Sequence, residues 1–265
     1  MLPARFELHR PTSIAEALAL VADHADDATF YAGGTELLVA LKARVLRYGH
    51  VVDIKRIQAL HGIALQKDGT LVIGALATHH QIATHPLVRK RLPAYAALSA
   101  DVANIRVRVA GTLGGNLCFA EPHADPPALL CALEARVVMA NAEGERTLPM
   151  REFILGEFTT ARLDGELLVR IEVPPLPAGA KAAYRAFGHL ERPAVGVAAR
   201  CDAGGGWQFW IGAIAGQPAM LECSPQEVEA AAAGLQAHDD MHGSAEYKRH
   251  LVAVLARRTA KACLA

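Results

Sequence analysis

Two short segments carry the residue types that handle anionic ligands. The first is Phe30-Tyr31-Ala32-Gly33-Gly34-Thr35-Glu36-Leu37, and the second is Thr112-Leu113-Gly114-Gly115-Asn116-Leu117. Each holds a glycine pair read as following a strand, with a hydroxyl and an amide or carboxylate beside it. Glycine admits positive φ and close backbone approach, so successive N–H groups can converge on one anion. Thr35 and Thr112 add hydroxyl donors. Two such loops match the two phosphates of a dinucleotide, and either one alone also fits an ordinary tight turn. Neither is a G-x-G-x-x-G fingerprint, and the chain has no G-x-x-x-x-G-K-[ST] loop.

Other chemistry-bearing residues read differently. His79 and His80 are adjacent and point about 100° apart on a helix, so they do not converge on a metal. His238, Asp239, Asp240 and His242 have ligand types in a short span, which also describes a solvated loop before the last helix. Asp125 precedes Pro126-Pro127, a helix N-cap position. With no G-x-S-x-G, a serine hydrolase is disfavoured. The five cysteines, Cys118, Cys131, Cys201, Cys223 and Cys263, include no C-x-x-C pair, so the chain alone offers no zinc ribbon or iron–sulfur ligand set. They are expected to be reduced thiols in a cytoplasmic protein.

The elements that must position these residues follow from capping and periodicity. Ser13 and Glu16 have capping-box spacing ahead of Ile14, Ala17, Leu18 and Val21, and Thr78 and Gln81 repeat that spacing. Strands are predicted near 29–32, 51–54, 71–74, 135–140, 146–148 and 166–173. The alternation over 106–112 reads as extended chain running into Gly114-Gly115. Helices are predicted over 35–43, 92–103 and 126–134. Later strands are expected at 182–187, 195–200 and 207–215, with helices at 226–233 and 246–261. Strands followed by helices point to a separate α+β unit after Pro174. The divisions read from this are 1–55, 56–174 and 175–265.

Composition narrows the classes. The 265 residues are 52% hydrophobic and 20% charged, which excludes a disordered chain. Lys+Arg 27 balances Asp+Glu 27, against a general nucleic-acid binder. Aromatics at 5% leave little for base stacking. No secretory signal is visible at the N-terminus, and no apolar run reaches the roughly 18 residues of a membrane span.

Beyond these local readings, the sequence resembles the FAD-binding medium subunit of the molybdenum hydroxylases, the family of the carbon monoxide dehydrogenase flavoprotein and xanthine dehydrogenase. The resemblance rests on Ala32-Gly33-Gly34-Thr35-Glu36-Leu37, on Ala110-Gly111-Thr112-Leu113-Gly114-Gly115-Asn116 and on Glu121-Pro122-His123-Ala124-Asp125-Pro126-Pro127. Leu167 to Pro174 and Ser244 to Arg249 extend it over nearly the whole chain. It implies an α+β fold: two α/β subdomains of the PCMH/vanillyl-alcohol-oxidase type holding FAD, then a C-terminal sheet-and-helix domain. It implies FAD contacts from Phe30, Tyr31, Ala32, Gly33, Gly34, Thr35, Glu36 and Leu37, from Val102, from Thr112, Leu113, Gly114, Gly115 and Asn116, and from Asp125, Leu168, Tyr184 and Arg185. No catalytic acid–base residue and no metal ligand is assigned to the chain. The implied partners are a molybdopterin-binding large subunit and a [2Fe–2S] small subunit in a dimer of heterotrimers, with electrons leaving FAD for an external acceptor. A self-sufficient PCMH-type flavin oxidoreductase is the alternative, and a binding module without redox function the third reading. One departure stands out: in Tyr184 to Pro193, Ala186 occupies a position where many members have Lys, with Arg185 next to it.

Overall fold

The computed structural model describes residues 2–189 and 192–264, and among them three larger sheets and one two-stranded sheet are formed. Leu190 and Glu191, inside the segment that departs from the family pattern, lie outside the described residues. The first sheet is parallel, in the order β1-β3-β2, from β1 (Glu7–His9), β2 (Ala28–Tyr31) and β3 (His50–Asp53), with α1 (Ile14–His24) and α2 (Leu37–Ala43) between them in sequence. The N-terminus of α1 forms where the spacing predicted. Ser13 Oγ accepts the N–H of Glu16, and the Glu16 carboxylate reaches back to the N–H of Thr12 at 2.8 Å, one residue earlier than a capping box requires.

Next come β4 (Ile63–Leu65), β5 (Leu71–Gly74), α3 (His79–Thr84), α4 (Pro86–Arg91), α5 (Pro93–Asp101), α6 (Ile105–Ala110), α7 (Leu113–Phe119) and α8 (Pro126–Ala132). They are followed by β6 (Arg136–Asn141), β7 (Gly144–Pro149), the small pair β8 (Ile154–Gly156) and β9 (Thr159–Thr160), and β10 (Leu167–Val173). The sheet order is β4-β5-β10-β6-β7, with every pairing antiparallel. Both faces of this sheet are buried, which explains the apolar runs in β6 and β10. Ile73, Val137, Met139 and Ile171 pack with Leu113, Leu117 and Leu129 of the helices. Val138, Ala140, Leu167 and Val169 pack with Ala17, Leu18 and Val21 of α1 and Val52 of β3.

The last sheet is an antiparallel meander of β11 (Lys181–His189), β12 (Arg192–Cys201), β13 (Trp207–Gly212) and β14 (Ala219–Glu222), with α9 (Val228–Ala233) and α10 (Ala245–Leu264). Val195, Val197 and Ala199 of β12 pack with Val252, Leu255 and Ala256 of α10, while Ala198 and Trp210 join the core shared with α8.

The extended reading of 106–112 is corrected: residues 105–110 are helix α6. The Asn104 side chain accepts the N–H groups of Arg106 and Val107 at 3.0 and 3.2 Å, and Arg108 Nη1 donates back to the carbonyls of Val102 and Ala103. The seven-residue alternation over 106–112 has no helical period to betray it, and the cap decided the outcome.

Candidate functional site

The first glycine segment leaves the C-terminal end of β2, beside β3 in the register Tyr31–Asp53. Gly34 has φ +74, a conformation side chains resist, and lets the chain turn over the Tyr31 ring into α2. Among the described residues, no turn or cap hydrogen bond takes the N–H groups of Gly33, Gly34 or Thr35. Lys55, just after β3, stands at the same turn. Its Nζ is 3.5 Å from the Tyr31 ring centroid, 2.7 Å from Asp53 Oδ1 and 3.4 Å from the Ala32 carbonyl. Unclaimed N–H groups, a hydroxyl and a cation make this turn suited to phosphate.

The second glycine segment is built differently from the expectation. Gly114 and Gly115 lie in the first turn of α7, not after a strand, because Thr112 caps that helix by accepting the Gly115 N–H on Oγ1 at 3.2 Å. The N–H groups of Leu113 and Gly114 donate to the carbonyls of Ala77 and Ala75. These donors dock α7 and do not point at an anion. A Cβ on Gly114 would lie 2.8 Å from the Ala75 carbonyl oxygen, so its small size serves backbone packing.

The two segments nevertheless meet. A Cβ on Gly33 would lie 2.2 Å from the Ala110 carbonyl oxygen, so the two turns pass backbone against backbone. Thr35 Oγ1 is 3.4 Å from where a Gly111 Cβ would be, and Ala32 Cβ is 3.8 Å from the corresponding position of Gly115. Two buried polar atoms here have no protein partner: Asn116 Oδ1 and His79 Nδ1. Burial, reinforced by the Arg108 charge, lowers the His79 pKa to about 4, so this imidazole is neutral at pH 7. An unpaired buried amide oxygen costs stability unless a ligand donates to it.

A cleft of about 390 Å³ is walled by α5, β11, the start of β12 and α10, and Arg192 in its lining reaches Glu36 of the first turn. Asp101, Asp125, Tyr184, Arg185, Arg192 and Arg258 supply its polar lining. Tyr184 Oη donates to Asp125 Oδ1 at 2.7 Å. Gly196 of β12 makes this possible, since a Cβ there would sit 2.1 Å from the Tyr184 hydroxyl. Burial raises the Asp125 pKa to about 6, although the Tyr184 bond pulls the other way. The same burial, with the Asp125 charge beside it, pushes Tyr184 well above its ordinary value.

The N-cap expectation for Asp125 is corrected. Its backbone is helical and its side chain caps nothing. The following two residues are prolines, which removes the N2 donor and leaves only the Ala128 N–H, to which Asp125 does not bond. Leu168 is buried in the main core. Val102 ends α5, and its carbonyl anchors Arg108. No described hydrogen bond ties either residue to the two turns.

A chain of charges braces the region; the sequence pointed only to Glu36, as an FAD contact, and to Asp240, as a candidate metal ligand, and not to the pairings between them. Arg192 reaches Glu121 at 2.8 Å and Glu36 at 3.5 Å. Glu121 and Asp240 both contact the His123 ring, at 3.2 and 2.9 Å. Asp240 also accepts from Lys248 Nζ, which is fully buried and donates to the Ala213 carbonyl. Burial opposes charge on His123, but the two carboxylates outweigh it and raise its pKa. Asp240 is lowered to about 2, its burial outweighed by Lys248, the His242 N–H and His123. Asp239 accepts the N–H of Ala245, and His238 sits 3.7 Å from Glu157. His238, Asp239 and Asp240 are engaged by partners outside the loop, and among the described residues they do not converge as ligands. The only signal for these pairings was the density of charged residues in 121–125 and 238–242.

The family of FAD-binding domains in molybdopterin dehydrogenases matches residues 4–176. The chain belongs to this family. The carbon monoxide dehydrogenase medium chain of Hydrogenophaga pseudoflava is 39% identical over 184 residues, covering 69% of this chain and 64% of that one. The 6-hydroxypseudooxynicotine dehydrogenase complex subunit alpha of Paenarthrobacter nicotinovorans is 33% identical over 280 residues, covering 98% and 94%. The solved carbon monoxide dehydrogenase from Hydrogenophaga pseudoflava superposes with a TM-score of 0.93 at 32% identity, covering 100% of this chain and 99% of that one. The α+β fold is therefore that of the FAD subunit of the molybdenum hydroxylases, the cofactor is FAD, and the protein is an oxidoreductase subunit. The unclaimed N–H groups at Gly33–Thr35 and the unpaired Asn116 Oδ1 offer such a ligand donors and an acceptor. Among the described residues no helix is long and apolar enough to cross a membrane.

Proposed function

We propose that this chain is the electron-transferring FAD subunit of a molybdenum-containing dehydrogenase complex. It receives electrons from a [2Fe–2S] small subunit fed by a molybdopterin-binding large subunit, and passes them to an external acceptor, in a dimer of heterotrimers. FAD when bound supplies the reversible uptake and release of electrons. The chain binds, orients and tunes it. The N–H groups of Gly33, Gly34 and Thr35, with the Thr35 hydroxyl and Lys55, hold the pyrophosphate. Asn116 accepts one ligand donor, and Asp125, Tyr184 and Arg185 border the flavin end in the cleft. The divisions 1–55, 56–174 and 175–265 give the first turn to the first unit, the second turn with α5 and Asp125 to the second, and β11, β12 and α10 of the cleft wall to the third.

The observation that carries this reading is the contact of the two glycine segments, Gly33 against Ala110, with unclaimed donors on one side and an unpaired acceptor on the other. Relatives named as medium chains or complex subunits support the partner assignment. The test is purification from a host that makes all three chains. We expect co-elution with iron, molybdenum and one FAD per chain. A lone, flavin-loaded monomer from that host refutes the complex and leaves the flavoprotein.

One observation favours the alternative, a self-sufficient flavin oxidoreductase. Asp125, with its raised pKa and its Tyr184 partner, is poised as an acid–base group beside the cleft. Steady oxidation of a small organic substrate by the isolated chain, lost in Asp125→Asn, selects that reading.

A further inference from the structure

Among the described residues, one group of three potential metal ligands converges, and it lies outside the flavin site: His9, His24 and His50. Three separate elements deliver them. Strands β1 and β3 pair in parallel with Glu7 opposite His50, so Glu7, His9, His50 and Val52 share one face of the sheet. Helix α1 covers that face, since Val52 packs with Ala17, Leu18 and Val21. His24 is the last residue of α1, which sets it over His50.

The three rings are stacked. The His24 and His50 centroids are 3.5 Å apart at 4°, and His9 lies 5.2 Å from His50 and 5.6 Å from His24. His9 Nε2 is 3.0 Å from His50 Nδ1, and one nitrogen from each ring falls within 4.8 Å of the others. The His9 and His50 side chains are 15% and 22% exposed, so the cluster is mostly shielded yet reachable. The Glu7 carboxylate stands 3.9 Å from both rings.

We propose that His9, His24 and His50 form a zinc site that fastens β1 and the end of α1 to β3. Tetrahedral Zn²⁺ with bonds of 2.0–2.1 Å holds its nitrogens about 3.3 Å apart; the nitrogens here already lie within 4.8 Å of one another, and coordination requires the stacked His24 and His50 rings to turn out of parallel so that their in-plane lone pairs meet at one ion. Imidazole nitrogen is a good zinc donor, and three such donors leave a fourth position for water or the Glu7 carboxylate. The carbonyl end of α1 adds a partial negative charge beside the ion. Binding replaces the His9–His50 hydrogen bond with three coordinate bonds, and no electron changes hands. The site stands at the start of β3, while the Gly33–Thr35 turn stands beyond its end, three residues or about 10 Å along the strand. Flavin binding is therefore an independent readout.

The experiment uses the tag-free, flavin-loaded full-length chain, treated with EDTA, desalted and titrated with ZnCl₂. We expect one equivalent of Zn²⁺ per chain by calorimetry and by metal analysis, with a higher unfolding temperature. His24→Ala and His9→Asn should each weaken zinc binding at least about tenfold, by loss of a ligand, while the flavin absorbance per chain is unchanged. His9→Asn, on the outer strand, decides the matter if His24→Ala fails to fold. No zinc bound, or equal binding by wild type and His9→Asn, overturns the site.

Discussion

In the flavin-free chain, replacing Asp125 with Asn should change how stability depends on pH. The Asp125 carboxyl titrates near 6 in the fold because burial disfavours its charged form, against an ordinary value of 3.8. The folded state thus holds the proton more tightly than the unfolded one. The stabilisation is complete below 3.8 and is lost as pH rises through about 6. Two pKa units correspond to at most about 3 kcal/mol, and about 1.4 kcal/mol of it falls between pH 5 and 8. The amide that Asp125→Asn introduces does not titrate, and its oxygen still accepts from Tyr184. His123, which also titrates abnormally, is common to both proteins and cancels in the difference. The assay is urea unfolding of both flavin-free proteins at half-unit steps from pH 5 to 8. Wild type should lose about 1.4 kcal/mol relative to Asp125→Asn across that range. A pH-independent difference, or a wild type that gains on the variant as pH rises, would refute the assignment of a desolvated carboxyl.

Three further outcomes follow from the same geometry. Gly33→Val should abolish flavin binding by forcing the two turns apart, as its Cβ would meet the Ala110 carbonyl; full flavin content by absorbance would show that their contact is dispensable. Gly196→Ala should push the Tyr184 hydroxyl off Asp125 and reproduce the flavin spectrum and affinity of Tyr184→Phe, and a spectrum like wild type would contradict this. Asp240→Asn removes the counter-charge of the buried Lys248 ammonium and should cost about 1.5–3 kcal/mol in chemical denaturation at pH 7, a loss below about 0.5 kcal/mol arguing against a structural pair. The Asp240 carboxyl is held low, so the stability it contributes is present above 3.8 and disappears as pH falls towards 2.

How far these features were legible in the sequence varied with the range of the interactions behind them. Thr78 and Gln81 announced a capping box, and both of its hydrogen bonds are present, because the partners sit three residues apart. The hairpin across Asn141–Gly144 and the apolar strand ending at Val173 were equally plain, being set by turn chemistry and burial. Strands such as Glu7–His9 and Ala219–Glu222 were not, since it is pairing with β3 and β13 that makes them strands. The family was legible in linear order, since the two glycine segments and the acidic segment before Pro126 are compact motifs of neighbouring residues. Tertiary structure alone decided what each glycine is for. Gly33 answers to Ala110 and Gly114 to Ala75, contacts between backbones that lie 77 and 39 positions apart. It also decided that Asp125 bonds Tyr184 across 59 positions, and that His9, His24 and His50 share one end of a sheet. Such juxtapositions depend on strand register and helix packing, which local spacing does not encode.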